Sequence, residues 1–169
     1  MSDETISRLA QQVLERCRAG KLMLATAESC TGGMIAAALT DIAGSSDVVE
    51  RGFVTYSNEA KTEMLGVPAD LIERVGAVSE EVAQAMAAGA LAHAPVDLAI
   101  AVTGIAGPGG GSAEKPVGLV YLGIARRRGP SGPVTARSER HTFTGDRTDI
   151  RAAALLRALE LLHGEAQGA

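Results

Sequence analysis

Only two tyrosines and two phenylalanines, Phe53, Tyr56, Tyr121 and Phe143, occur in the 169 residues, and tryptophan is absent. Because 46% of the chain still belongs to the hydrophobic set, its core must be built from Ala, Val, Leu, Ile and Met. A charged fraction of 21% is far too low for disorder, and the length suits one domain spanning residues 1–169. With 16 Lys+Arg against 20 Asp+Glu the chain is mildly acidic, and its only basic cluster is Arg126, Arg127 and Arg128. That argues against nucleic acid as a partner: duplex binding needs a basic stripe, and single-strand binding needs a platform of rings. The apolar stretch at residues 22–27 is far short of the span of about 20 apolar residues that a membrane requires. No charged-then-apolar leader precedes it, so no membrane association and a cytoplasmic location are expected. Cys17 and Cys30 form no CxxC pair, and His93, His141 and His163 are widely spaced. No metal site and no cofactor are expected.

Hydrophobic periodicity divides the chain into alternating elements. Ile6, Leu9, Ala10, Val13, Leu14 and Cys17 fall on one helical stripe, preceded by Ser2, Asp3 and Glu4 as start signals, and this helix ends near Gly20. Residues 22–27 read as a short buried strand leading into an Ala-rich helix that begins at Thr31-Gly32-Gly33 and ends near Asp41. Residues 48–56 have the β-branched and aromatic content of a second strand. Asn58 is expected to cap a short helix carrying Lys61 and ending by Gly66; Pro68 opens another, and Ser79 starts a longer one ending near His93. Residues 97–103 form a strongly apolar strand, 117–125 and 134–143 two more, and Asp146 begins a final helix. The end near Ala169 is expected to fray. Two consecutive strands late in an alternating pattern predict an α/β single domain with a mixed, partly antiparallel sheet and helices on both faces.

Three loops at predicted strand ends carry the chemistry, and ligands of such sheets gather at the carboxyl ends of strands. The first, Glu28-Ser29-Cys30-Thr31-Gly32-Gly33, sets a hydroxyl and a thiol just before a helix start, where backbone N–H groups favour anionic forms. Either Ser29 or Cys30 can serve as nucleophile, and an ordinary capped turn accounts for the same residues. The second loop supplies Lys61, a general base if burial lowers its pKa, and Tyr56 five residues before it, either a proton relay or a strand-end ring with its hydroxyl in water. Serine paired with a neutral lysine is a known variant of triad logic. The third loop holds five glycines within residues 104–111 but is no P-loop, because Lys115 precedes Pro116 and no helix can start there. What remains is a flexible run of N–H donors suited to an anion or a flat ring.

Together these loops, with Thr26-Ala27 before the first, Arg51-Gly52-Phe53-Val54-Thr55 before the second and Glu114-Lys115-Pro116-Val117-Gly118 after the third, resemble the nicotinamide-nucleotide amidohydrolase family, which is also that of the CinA C-terminal domain. The resemblance implies a stand-alone form without the N-terminal domain of larger relatives. It implies hydrolytic deamidation of nicotinamide mononucleotide to nicotinic acid mononucleotide and ammonia, a salvage step in pyridine nucleotide recycling. Ser29 would be the nucleophile, Lys61 its base and Tyr56 an assistant. Cys30, Thr31, Gly32, Gly33, Thr103, Gly104, Gly107 and Arg147 would bind the nucleotide substrate, with Arg51 a further candidate for phosphate. A homodimer or higher homo-oligomer is expected, and the Ala-rich helix starting at Ser79 is a candidate for close packing between copies. Two alternatives stand beside this reading: a nucleotide-binding or interaction module of competence or DNA-damage machinery without catalysis, and an amidase for another pyridine or ribosyl amide.

Overall fold

The alternating pattern folds as expected in a computed structural model that describes residues 3–167. The expectations for Ser2 and for the end at Ala169 lie outside the described residues. Among the described residues the order is α1 (Asp3–Gly20), β1 (Leu24–Glu28), α2 (Met34–Thr40), a single 3-10 turn at Ser45–Asp47, β2 (Val49–Val54), α3 (Asn58–Leu65), α4 (Ala69–Val75), α5 (Glu80–Ala92), β3 (Leu98–Gly104), β4 (Leu119–Arg127), β5 (Val134–Thr142) and α6 (Arg147–Ala166).

Caps explain several boundaries. The Ser79 side chain accepts the Val82 N–H at the start of α5, and Asp146 accepts those of Thr148 and Asp149 in a reciprocal capping box at the start of α6. The cap of α3 is Ser57 rather than the expected Asn58. Ser57 has the extended backbone a cap needs and accepts the Ala60 N–H at 3.0 Å, whereas Asn58 is already the first helical residue.

The strands form one mixed sheet in the order β2-β1-β3-β4-β5. β1 runs parallel to β2 and β3, and β4 runs antiparallel to both β3 and β5. Glu28, Val54 and Val102 are in register, so the carboxyl ends of the three parallel strands share one edge of the sheet.

Strand alternation divides the interior by size. Leu24, Leu98, Ile100, Val102, Leu122 and Ile124 point into the core beneath α1, α2 and α6. Ala25, Ala27, Ala99, Ala101 and Ala125 point to the opposite face, beneath α3, α4 and α5. A face of alanines lets α5 settle close to the sheet, and at Gly123 an added Cβ would stand 2.1 Å from the Ala83 carbonyl oxygen. The small residues of α5 are therefore used within the chain, where Val82, Ala83, Met86, Ala87, Gly89, Ala90 and Leu91 are all buried. This close packing explains how the fold fills its core with so few rings.

Candidate active site

At the shared sheet edge, Ser29 leaves the end of β1 and Lys61 comes from the first turns of α3. Lys61 is only 1% exposed, the bulkiest of the fully buried side chains. Its Nζ lies 3.1 Å from Ser29 Oγ and 2.8 Å from the Thr55 carbonyl oxygen, with the Ser57 and Tyr56 carbonyls at 3.4 and 3.5 Å. Burial pushes the Lys61 pKa below the ordinary lysine value, with the nearby Cys30 opposing. A neutral amine has two N–H donors and one lone pair. The Lys61 amine donates to Ser29 Oγ and to the Thr55 carbonyl, and its neutral form would have a lone pair able to take the Ser29 proton. Cys30 is also buried, which pushes its thiol up to about 11. At neutral pH it remains a thiol, a poor nucleophile.

The turn between β1 and α2 is built differently from the sequence expectation. Gly32 and Gly33 both adopt left-handed conformations, φ 59° and 101°, and make a bend that L side chains rarely enter. Their N–H groups are engaged within the protein: that of Gly32 donates to the Ser29 carbonyl and that of Gly33 to Glu28 Oε2. Neither glycine lines the cleft, nor does the fully buried Thr31. In this structure these three residues shape the turn rather than line the cleft. Glu28, fully buried, also accepts the N–H groups of Ile35 and Ala36. From α6, Arg151 donates to the Cys30 and Thr31 carbonyls.

The cleft that remains is about 280 Å³ and is lined by Ser29, Cys30, Tyr56, Lys61, Thr103, Gly104, Gly107 and Arg147, together with Asn58, Ala77, Val78 and other residues of the glycine loop. Its size is near the lower end of small-ligand pockets, about 300–1,000 Å³. Thr103 spends its hydroxyl on the Ala77 carbonyl, tying β3 to the α4–α5 connection. Arg147 spans the mouth, donating to the Gly107 carbonyl at 2.7 Å and to the Tyr56 hydroxyl at 2.8 Å. Tyr56 is 59% exposed, so its ring forms a wall open to solvent. Arg51 is not part of this cleft; its guanidinium pairs with Glu50 and the His93 carbonyl. A larger groove of about 480 Å³ runs between α3 and α4, lined by Glu59, Glu63 and Glu73 among others, and contains neither Ser29 nor Lys61. Its carboxylates repel a phosphate, whereas the smaller cleft presents Arg147. Among the described residues no group of three or more His, Cys, Asp or Glu side chains could hold a metal ion, and no helix is long and apolar enough to cross a membrane.

Sequence reasoning missed Glu28 and Arg151 as contributors to this site. An acidic residue shortly before a helix start is a recognisable signal for Glu28. Arg151 is 121 positions from Cys30, and no local pattern links them.

The model of the CinA C-terminal domain family matches residues 6–166. The chain belongs to that family. The nicotinamide-nucleotide amidohydrolase PncC of Escherichia coli strain K12 is 49% identical over 162 residues, covering 96% of this chain and 95% of that protein. A CinA-like protein of Mycolicibacterium paratuberculosis is 55% identical over 152 residues, which make up 89% of this chain and 34% of that longer protein. Among solved structures, the competence/damage inducible protein CihA of Agrobacterium tumefaciens superposes with a TM-score of 0.89 at 50% identity, covering 97% of this chain and 96% of that one. The stand-alone and the longer CinA-like relatives thus share the domain seen here.

Proposed function

We propose that this chain is a nicotinamide-nucleotide amidohydrolase that deamidates nicotinamide mononucleotide through a Ser29–Lys61 pair and a covalent acyl-enzyme. The observation that carries the mechanism is the 3.1 Å contact between a buried lysine amine and the Ser29 hydroxyl. The names of the full-length relatives support the substrate class. Ser29 Oγ attacks the carboxamide carbon as its proton passes to Lys61 Nζ, giving a tetrahedral oxyanion and an ammonium. Collapse breaks the carbon–nitrogen bond, and the lysine proton leaves with the amine as ammonia. Lys61 then takes a proton from water, the resulting hydroxide attacks the ester, and the proton returns to Ser29 as nicotinic acid mononucleotide departs. Since the Gly32 and Gly33 amides are engaged elsewhere, the oxyanion falls to the Cys30 amide and to amides of the glycine loop lining the cleft. Arg147 exchanges its Tyr56 and Gly107 partners for the phosphate. No metal or cofactor is required.

Ammonia release from nicotinamide mononucleotide by wild type, Ser29→Ala and Lys61→Ala tests this directly. Both variants should lose activity to a similar extent, because nucleophile and base act as a unit. Near-native release by Ser29→Ala refutes the mechanism. Free nicotinamide and the dinucleotide, run in parallel, should be poor substrates if the phosphate is recognised. Turnover of either at the mononucleotide's rate favours a broader amidase, and no turnover of any favours a binding module.

A further inference from the structure

We infer that the turn presenting Ser29 is held in its reactive geometry by two charged side chains that never touch substrate, Glu28 and Arg151, acting as positioning residues; this rests on the reading of Ser29 as nucleophile. The turn contains two successive left-handed glycines. Glycine has the most backbone freedom to lose on folding, so such a turn needs outside bonds to stay in one conformation. Those bonds come from opposite sides. From within, the fully buried Glu28 carboxylate accepts the N–H groups of Gly33 at 3.1 Å, Ile35 at 3.1 Å and Ala36 at 2.9 Å. From α6, the Arg151 fork donates Nε to the Cys30 carbonyl at 3.0 Å and Nη2 to the Thr31 carbonyl at 3.2 Å.

Glu28 is also tied to the base. Its carbonyl accepts the Thr55 N–H at 2.9 Å, and the Thr55 carbonyl accepts from Lys61 Nζ at 2.8 Å. One residue thereby sets the distance between the strand end that carries the nucleophile and the strand end that seats the amine. Neither Glu28 nor Arg151 lines the cleft. Loosening the turn should therefore weaken the chemical step rather than substrate binding, and a displacement of about 1 Å costs on the order of a hundredfold in rate.

The test measures kcat and KM for nicotinamide mononucleotide, and the rate at which a fluorophosphonate labels Ser29, in wild type, Glu28→Gln, Arg151→Ala and Ser29→Ala, with circular dichroism to verify folding. Glu28→Gln keeps the shape but turns an amide N–H₂ toward backbone donors. In it, kcat and labelling rate should both fall about tenfold or more, with KM within about twofold. Arg151→Ala, at a half-buried position, should shift the same two quantities in the same direction. If Glu28→Gln does not fold, Arg151→Ala decides alone. Wild-type kcat and labelling in either folded variant, or a rise in KM with kcat unchanged, overturns the inference. Full activity of Ser29→Ala is a separate result that removes the nucleophile assignment itself.

Discussion

Replacing Lys61 with methionine should make this protein more stable as it makes it inactive, and the stability gain should vary with pH in a defined direction. Methionine matches the apolar stem of the lysine out to the ε position and lacks only the terminal amine of a residue that is 1% exposed. The cost is the hydrogen bond to the Thr55 carbonyl, and a buried acceptor left without a donor costs about 1–3 kcal/mol. The gain is release from holding an ionisable amine away from water. Folding lowers the Lys61 pKa from the ordinary 10.5. Below the lowered value both folded and unfolded chains bind the proton, and the full penalty is present. Between that value and 10.5 the unfolded chain binds more protons, so wild-type stability rises with pH. Above 10.5 both states are neutral and the penalty has vanished.

The advantage of Lys61→Met over wild type must therefore be greatest at low pH and shrink as pH rises through the window. The limiting slope is about 1.4 kcal/mol per pH unit, the free energy of one proton bound differentially. Urea unfolding followed by far-ultraviolet circular dichroism, at intervals from about pH 6 to about pH 10, gives the difference, and comparing the two proteins cancels every titration they share. Tryptophan fluorescence is no substitute, since the chain has none. A difference that is flat with pH, or that widens as pH rises, refutes the claim that Lys61 is a base activated by burial. Activity supplies the second readout, with a loss of roughly 10²–10⁴-fold expected for removal of a general base.

Other outcomes follow from particular contacts. The kcat/KM profile of the wild type should rise with pH to a plateau whose apparent pKa lies below the ordinary lysine value of 10.5, as determined from initial rates of ammonia release. Iodoacetamide at neutral pH should leave activity intact and Cys30 unmodified by mass spectrometry, because burial pushes that thiol up to about 11. Gly123→Ala should destabilise by about 3 kcal/mol or more in urea titration, since its Cβ would stand 2.1 Å from the Ala83 carbonyl oxygen and drive α5 off the sheet. Asp146→Ala removes the capping box of α6 and should cost about 1 kcal/mol on the same measurement.

The sequence alone determined the elements, their order and the sheet edge where chemistry gathers. The stripe from Ile6 to Cys17, the apolar run of β3 and the caps at Ser79 and Asp146 are local signals, and local periodicity and capping survive folding because each is satisfied by near neighbours in the chain. Ser29 and Lys61 were legible as nucleophile and base candidates for the same reason, since each belongs to a segment that directly follows an expected strand. The register between strands, which brings a hydroxyl and an amine 32 positions apart to 3.1 Å, was decided only by tertiary structure. So was the burial that keeps the Cys30 thiol protonated, because desolvation depends on everything packed around a group and not on its neighbours in sequence. Gly32 and Gly33 mark the boundary between the two. Their small size is plain in the sequence, yet whether their amides face a ligand or the Glu28 carboxylate and the Ser29 carbonyl depends on the path of the backbone. Arg151, reaching the turn after β1 from the last helix, shows why the rest was hidden: its partners are chosen by the docking of α6 against the sheet, a contact between segments distant in sequence.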